Sequence, residues 1–361
     1  MKKKCSTVNT TQMSFASPYI EQRSARTSVF YNQIDLLIDW NKIEKAINRY
    51  YHKNKTIDGR PAYNGVLLFK MLLLGIWNDL SDIKTENLVN DSLSAMRFCK
   101  LNLEDSVPDH STLSRFRTEL TVNNGMDKIL NAFNKQLEKH NLIVKTGVKV
   151  DASITETLRK PKGAIRYEIA EDRKEDEVPE EEKSKQIKSL VKLQGKGVDA
   201  EGRWLKKGGK TRFGFKRHDA VDENGMILGV HTTTANEHDS KGLAPLLKKT
   251  PYKYSKYGVW ADKGYKSKGN DELLKDKNIK NRIMHKAHRN RPLTDWQNKF
   301  NSLISKTRWV VERTFGGIKK WLNGGTTRYM GKKKVHTGHV LLAIAYNLKR
   351  SPGIVASNSI R

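Results

Sequence analysis

LIVKTGVKVDASIT, residues 142–155, decides the fold. Val148, Val150, Ala152 and Ile154 point one way; Lys149, Asp151 and Ser153 point the other. A period of two describes a strand with one apolar face. What precedes it is helical. From Gln33 to Tyr51, apolar residues recur at Ile34, Leu37, Ile38, Ile43, Ala46, Ile47 and Tyr50, one face of a helix. Pro61 is placed to open the next helix, which carries the apolar run GVLLFKMLLLGIW, residues 65–77. Lys70 interrupts that run, and it is shorter than the roughly 20 residues a membrane span requires, so a buried helix is expected and no membrane partner. Two or three further short helices run to residue 140. One starts near PDHSTLSRFRTEL, where Asp109 or Ser111 can cap and Arg115 and Arg117 fall on the exposed face.

After the strand the pattern stays mixed. Residues 168–189 are too charged to pack and read as a solvated helix or a disordered insertion, within a charged stretch of about 160–208. Asn224-Gly225 between two apolar runs signals a hairpin. Asp239 can cap a helix through Lys248. VWAD is a short strand ending in Asp262, and a helix near 268–277 and the strand IKNRIMH follow. Thr294 and Gln297 have the spacing of a capping box, so the last major helix begins there and holds Glu312. Strands alternating with helices in this order build a mixed α/β sheet. The expected organisation is a flexible segment over 1–30, an all-helical DNA-binding domain over 31–140, a catalytic domain over 141–350 and a tail over 351–361.

Charge points to the partner. With 68 Lys and Arg against 39 Asp and Glu, the chain carries a formal +29. An excess of that size favours a polyanion, and nucleic acid is the first candidate. Cys5 and Cys99 are the only cysteines, which excludes a disulfide framework and argues against structural zinc. The start, MKKKCSTVNT, is basic with no apolar core after it, so no secretory signal is expected and a cytoplasmic, nucleoid-associated protein is.

Three acids stand apart from the rest. Asp151 and Asp262 sit at strand ends, where sites collect in open α/β sheets. Glu312, in RWVVERTFGGIKKW (308–321), is the only acidic residue between Lys306 and Arg350. A plain reading makes Glu312 the partner of Arg308 at i,i+4, an ordinary surface ion pair. The sharper reading brings the three carboxylates together around Mg²⁺ or Mn²⁺, with two ions clamping the attacking and leaving oxygens of a phosphodiester. Spacing alone does not choose between them.

At these residues the sequence resembles the DDE transposases of bacterial insertion sequences, in the InsH-like group (insertion sequence family five), from about Ile34 to Asn347. VDASIT resembles the stretch around that family's first aspartate, ADKGY fits its Asp-x-Gly-Tyr/Phe pattern, and Arg308, Glu312 and Lys319 fit Arg-x(3)-Glu-x(6)-Lys. TTTANEHD (232–239) and PDHSTLSRFR (108–117) are also typical of it. The resemblance implies an RNase H-like catalytic domain in which Asp151, Asp262 and Glu312 bind two divalent ions. It implies cutting at transposon ends and joining of the 3′-hydroxyl to target DNA, by a homodimer on double-stranded DNA that needs no small-molecule cofactor. It assigns Arg308 and Lys319 to phosphate contacts. One position departs: the tyrosine three residues before the arginine is Ser305 here.

Weaker candidates complete the set. His218 and His238 could support the acids, although a lone histidine is more often structural. Trp309 and Trp321 could stack on bases or fill a core. Lys332, Lys333 and Lys334 form a DNA-backbone patch or a soluble loop. Two other functions fit the same residues: a nuclease that cuts without joining, and a DNA-binding repressor that keeps the fold without activity.

Overall fold

The computed structural model describes residues 26–52, 62–161, 166–169, 190–193 and 197–359. Among the described residues seven helices come first: α1 (Arg26–Leu37), α2 (Trp40–Ile47), α3 (Gly65–Trp77), α4 (Asp82–Asp91), α5 (Leu93–Phe98), α6 (His110–Val122) and α7 (Met126–Lys139). The expected single helix over 33–51 is two. Asp39 has extended backbone and its carboxylate accepts from the Asn41 N–H, which starts α2 afresh. Helix α1 already begins at Arg26, inside the segment expected to be flexible; residues 1–25 lie outside the described residues. Pro61 does too, and the α3 cap is Asn64. Asp109 caps α6 through the Thr112 N–H, as the sequence suggests.

A mixed sheet follows: β1 (Val148–Thr157), β4 (Arg203–Lys207), β5 (Lys210–Val221), β6 (Ile227–Thr234), β7 (Val259–Ala261), β8 (Asn281–Ile283) and β9 (Thr326–Thr327), with a separate pair, β2 (Arg166–Ile169) and β3 (Leu190–Leu193). Strands β1, β5 and β6 are antiparallel neighbours; β7 and β8 are added in parallel on the other side of β1. The main order is β6-β5-β1-β7-β8. Gly225 adopts a left-handed φ of +81° in the β5–β6 turn, which the Asn-Gly pair foretells. Within the charged insertion β2 pairs with β3; residues 170–189, read from sequence as a solvated helix or disordered, lie outside the described residues.

Helices α8 (Ser240–Lys249), α9 (Tyr252–Ser255), α10 (Lys268–Asp276), α11 (Asp295–Leu322) and α12 (Lys332–Ser359) complete the chain. The Thr294–Gln297 capping box of α11 is formed in both directions. Helix α11 is not the last. The lysine run 332–334 is the exposed first turn of α12 and not a loop, and α12 continues to Ser359 through the expected tail.

Helix α12 ties the two halves together. The Trp77 indole donates to the Ala345 carbonyl at 3.0 Å, and the Thr121 and Thr337 hydroxyls meet at 2.8 Å. Asn347 gives its amide to Asn134 and to the Ile227 carbonyl and accepts the Ile227 N–H. One apolar cluster therefore runs from Tyr31 to Leu348, and residue 140 marks a change of secondary structure but no break in the core.

Buried histidines make this core acid-sensitive. His339 lies between the Thr232 and Thr155 hydroxyls with burial pushing its pKa well down, and burial also depresses His218 and His231 to about 4. Each stays neutral in the fold and takes up a proton on unfolding, so its stabilisation is complete above about pH 6.5 and is lost as pH falls toward its folded pKa. Asp222, pushed by burial to about 7, opposes them over the same window. In thermal unfolding measured between pH 6.5 and 4.5, His339→Gln is expected to flatten the loss of Tm on acidification and Asp222→Asn to steepen it.

Candidate active site

Strand register brings the first two acids together. Strands β1 and β7 run parallel with Val150 opposite Ala261, so Asp262, just past the end of β7, comes beside Asp151, which lies within β1 opposite Asp219 and not at a strand end as expected. Each carboxylate turns back on its own chain: Asp151 Oδ1 accepts the Ala152 N–H and Asp262 Oδ1 the Lys263 N–H. Asp262 also caps the single 3₁₀ turn Lys263–Tyr265.

Between the two carboxylates lies a cation from α11. The Arg308 guanidinium donates through Nη2 to Asp151 Oδ2 at 2.7 Å and approaches Asp262 Oδ1 through Nη1 at 3.8 Å. Arg308 is only 8% exposed, and its Nε has no partner. Burial raises the Asp151 pKa; Arg308 opposes that shift and the nearby Asp262 adds to it. Two acids this close to each other and out of water need a counter-ion, and Arg308 supplies it.

Glu312 does not pair with Arg308. It is exposed and forms neither hydrogen bond nor ion pair among the described residues. It follows Arg308 by one helical turn, about 6 Å further along the axis and roughly 40° around it. Seven residues beyond, Lys319 is on the same stripe. Helix α11 runs in the direction of β1: Arg308 meets Asp151, and Lys319 feels the charge of Glu156 at the far end of the strand. The stripe thus overlies β1 with Glu312 between a basic residue at each end. Among the described residues, no three His, Cys, Asp or Glu side chains come close enough to hold a metal ion. The expected three-acid cluster is formed only as the pair Asp151–Asp262.

The remaining candidates divide. Arg117 is not on an exposed face. Its guanidinium makes a two-point pair with Asp82 at 3.0 and 2.6 Å and covers the Tyr329 ring. Phosphate would have to break that pair. Arg115 is exposed, held only to Ser111 and Thr112 hydroxyls, and Lys332, Lys333 and Lys334 are exposed as well. His218 is wholly buried, bonded to the Tyr265 hydroxyl at 2.7 Å and to Thr233 at 3.0 Å, so it braces the Asp262–Tyr265 turn from behind. His238 is exposed and bonds Ser240. Asp239 leaves the helix-capping role to accept Lys216 Nζ at 2.8 Å. Trp309 and Trp321 fill no core: they are 52% and 42% exposed, one under the Arg313 guanidinium and one stacked on Tyr346.

Two further basic residues lie near the site, Lys207 at the end of the charged insertion and Arg212 just after it. Lys207 lies near enough to Asp151 to lower its pKa, and Lys207 and Arg212 both depress Lys319 beyond the larger effect of burial. They flank the β4–β5 hairpin, whose Gly208 and Gly209 have φ of +57° and +74°. Gly-Gly between RWLKK and KTRFGF is a hairpin signal of the same kind as Asn-Gly.

Two family models match the chain. Residues 164–348 match the family model described as a transposase DDE domain, a span that includes Asp262 and Glu312. The chain belongs to the DDE transposase family. Residues 18–119 match a second model, a transposase domain (DUF772), over the helical half of this transposase. The transposase for insertion sequence element IS1106 of Neisseria meningitidis serogroup B is 35% identical over 240 residues, which is 66% of this chain and 76% of that protein. No solved structure matches. No helix among the described residues is long and apolar enough to cross a membrane.

Removing the guanidinium tests the electrostatics directly. Arg308→Met leaves the two carboxylates facing each other, and the folded state is expected to lose about 2 kcal/mol at neutral pH. The loss should shrink in Mn²⁺ solution and on acidification, since burial raises the Asp151 pKa and its protonation relieves the repulsion. Chemical denaturation with and without Mn²⁺ measures both.

Proposed function

We propose that this transposase cuts DNA at insertion-sequence ends and joins the freed 3′-hydroxyl to target DNA, with Asp151, Asp262 and Glu312 as its metal-binding acids. The observation that carries the reading is the pair of register-matched aspartates bridged by a cation from the helix that bears Glu312. The donor chemistry fits a hard cation: the pair offers oxygens only, and it already accommodates a positive charge. The strand order, with a three-stranded antiparallel unit extended by two parallel strands, supports an RNase H-like catalytic domain. The signature residues Arg308, Glu312 and Lys319 support the InsH-like group.

Bound there, one or two Mg²⁺ or Mn²⁺ ions would activate the attacking oxygen and stabilise the leaving one. The chain's own residues do the rest. Asp151 and Asp262 are held by the backbone N–H groups beside them and by the β1–β7 register. Arg308 releases them and turns its guanidinium to the scissile phosphate, whose two oxygens match its fork. Glu312 swings in from solvent by rotation of a side chain that nothing else holds. Lys319, Lys207 and Arg212 line the continuation of the groove and bind the strand beyond the cut. Arg115 on α6 and the α12 lysines contact duplex backbone, and two copies of the chain hold the two ends. Ser305 offers no phenolic contact near the cut, so the fate of the second strand rests on other groups.

Asp262→Asn is expected to abolish cleavage of end DNA and leave its binding intact, since an amide oxygen is a poorer metal ligand than a carboxylate. Gel assays of cleavage and binding on the same substrate read both, and cutting at the wild-type rate would remove Asp262 from the site. The joining step separates a transposase from a nuclease: recombinant molecules should accumulate with wild-type protein and Mg²⁺, whereas free cut ends alone would favour the nuclease. Affinity for end DNA should fall steeply with salt, by about a thousandfold between 50 and 200 mM if six or more phosphates are neutralised.

A further inference from the structure

Helix α11 carries a second row of cations on the side away from Asp151. Lys306, Arg313 and Lys320 stand at i, i+7 and i+14, and all three are exposed. Seven residues is close to two turns, so the three share one stripe, about 10 Å apart and spanning about 21 Å of the helix. That stripe lies about 120–160° around the axis from Arg308, whereas Glu312 and Lys319 lie within about 40° of it. The helix therefore has two basic edges, one over β1 and one toward the β5–β6 turn. Its only acids are Asp295, in the first turn, and Glu312, on the β1 edge; neither lies beside the outer row.

An arginine from α12 joins the row. Arg350 Nε donates to the Asn224 carbonyl at 2.6 Å, and Arg313 Nη2 reaches the same oxygen at 3.4 Å. Two guanidiniums thus share one neutral acceptor. Burial lowers the Arg313 pKa and the neighbouring Arg350 lowers it further. Glu223, beside that turn, goes to Lys149 at 3.4 Å. Among the described residues, none of Lys306, Arg313, Lys320 and Arg350 forms an ion pair. Gly316 lies on the crest between Arg313 and Lys320. A Cβ there would meet nothing within 4 Å, so packing does not require the glycine, although glycine inside a helix costs stability relative to alanine. A crest bare at its middle lets a long ligand lie close along it.

Cations that repel each other, with no acid to neutralise them and bare backbone between, match a polyanion lying across α11. The strand at the active site does not serve, because Arg308 and Lys319 face it from the opposite edge. A joining reaction brings a second DNA. Phosphate contacts position a duplex without reading its sequence, which suits a target more than an end that must be recognised. We propose that Lys306, Arg313, Lys320 and Arg350 hold the backbone of the target duplex, with Gly316 allowing it to approach the helix. The inference rests on the joining role proposed above and gives that role a surface.

The full-length chain, saturated with unlabelled end duplex in the absence of metal, should capture a labelled duplex of random sequence. Arg313→Glu combined with Lys320→Glu is expected to lower that capture at least about tenfold and its salt slope by about two, while affinity for the end duplex stays within about twofold. With Mg²⁺ the same variant should cut ends at the wild-type rate and give about tenfold fewer joined products. Lys306→Glu, at an exposed side chain without an ion pair, should lower capture about threefold, and Gly316→Leu should lower it with no change of charge. Unchanged capture in the double variant, equal loss of end binding and capture, or fewer joined products with unaltered capture overturns the target surface and leaves the DNA-cutting role standing. A wild-type chain that binds the end duplex but captures no second one overturns it as well. A chain that binds neither duplex removes the surface and the DNA role together.

Discussion

The parallel pairing of β1 with β7 is the constraint on which the site depends. Val150 opposite Ala261 fixes where Asp151 and Asp262 emerge, and a slip of one residue would send one carboxylate to the other face of the sheet. The register is itself held from both faces. On the side of Ala152, His218 joins the sheet to Tyr265 and packs on Gly242 of α8. On the side of Asp151, His339 of α12 bonds Thr155 and Thr232 and feels the charge of Arg217, whose Nε donates to the buried Asp219 at 2.8 Å. The polar groups that brace the strands are therefore inside the molecule, and the pair of acids they position is at its edge.

Much of this was legible because local rules and the global fold agree. The strand over 148–155, the Asn224-Gly225 turn, the Asp109 cap and the Thr294–Gln297 capping box each appear where the sequence puts them, although the alternation is not kept in burial, since Lys149 is buried alongside Val148 and Val150. The failures have specific causes. Helix α12 was not read from the sequence, because three lysines at a helix N-terminus oppose the macrodipole and look like a loop; burial of Val335, Val340, Leu341 and Ile344 outweighs that cost. Strand β4 was concealed by the charge around it, since a hairpin edge with exposed side chains carries no apolar alternation. Arg117 was assigned to solvent because sequence spacing does not reveal that Asp82, on another helix, and Tyr329, far along the chain, reach it.

Of the three candidate acids, the fold unites two. The strand-end position holds for Asp262 but not for Asp151, which lies within β1; the β1–β7 register brings the two together. Glu312 lies on the same helix as Arg308 and on one stripe with it, but its carboxylate is exposed and does not join the pair. The plain alternative, an Arg308–Glu312 surface pair, was equally open from spacing and is not what forms: the arginine has a better partner in the desolvated Asp151 than in an exposed glutamate.

Arg308 shows why a chain of formal charge +29 can keep two acids together at this point. Repulsion between two partly desolvated carboxylates is relieved in only three ways: protonation, an internal cation or a bound one. The raised Asp151 pKa is a sign of the first, and Arg308 is the second. In the proposed reading a divalent ion is the third, and it competes with the guanidinium for the same oxygens. Two charges in place of one favour the ion, and a phosphate nearby gives the released guanidinium somewhere better to go than water. The carboxylates would then be free for metal most readily when DNA is already present, which couples readiness for chemistry to substrate without any movement of the sheet.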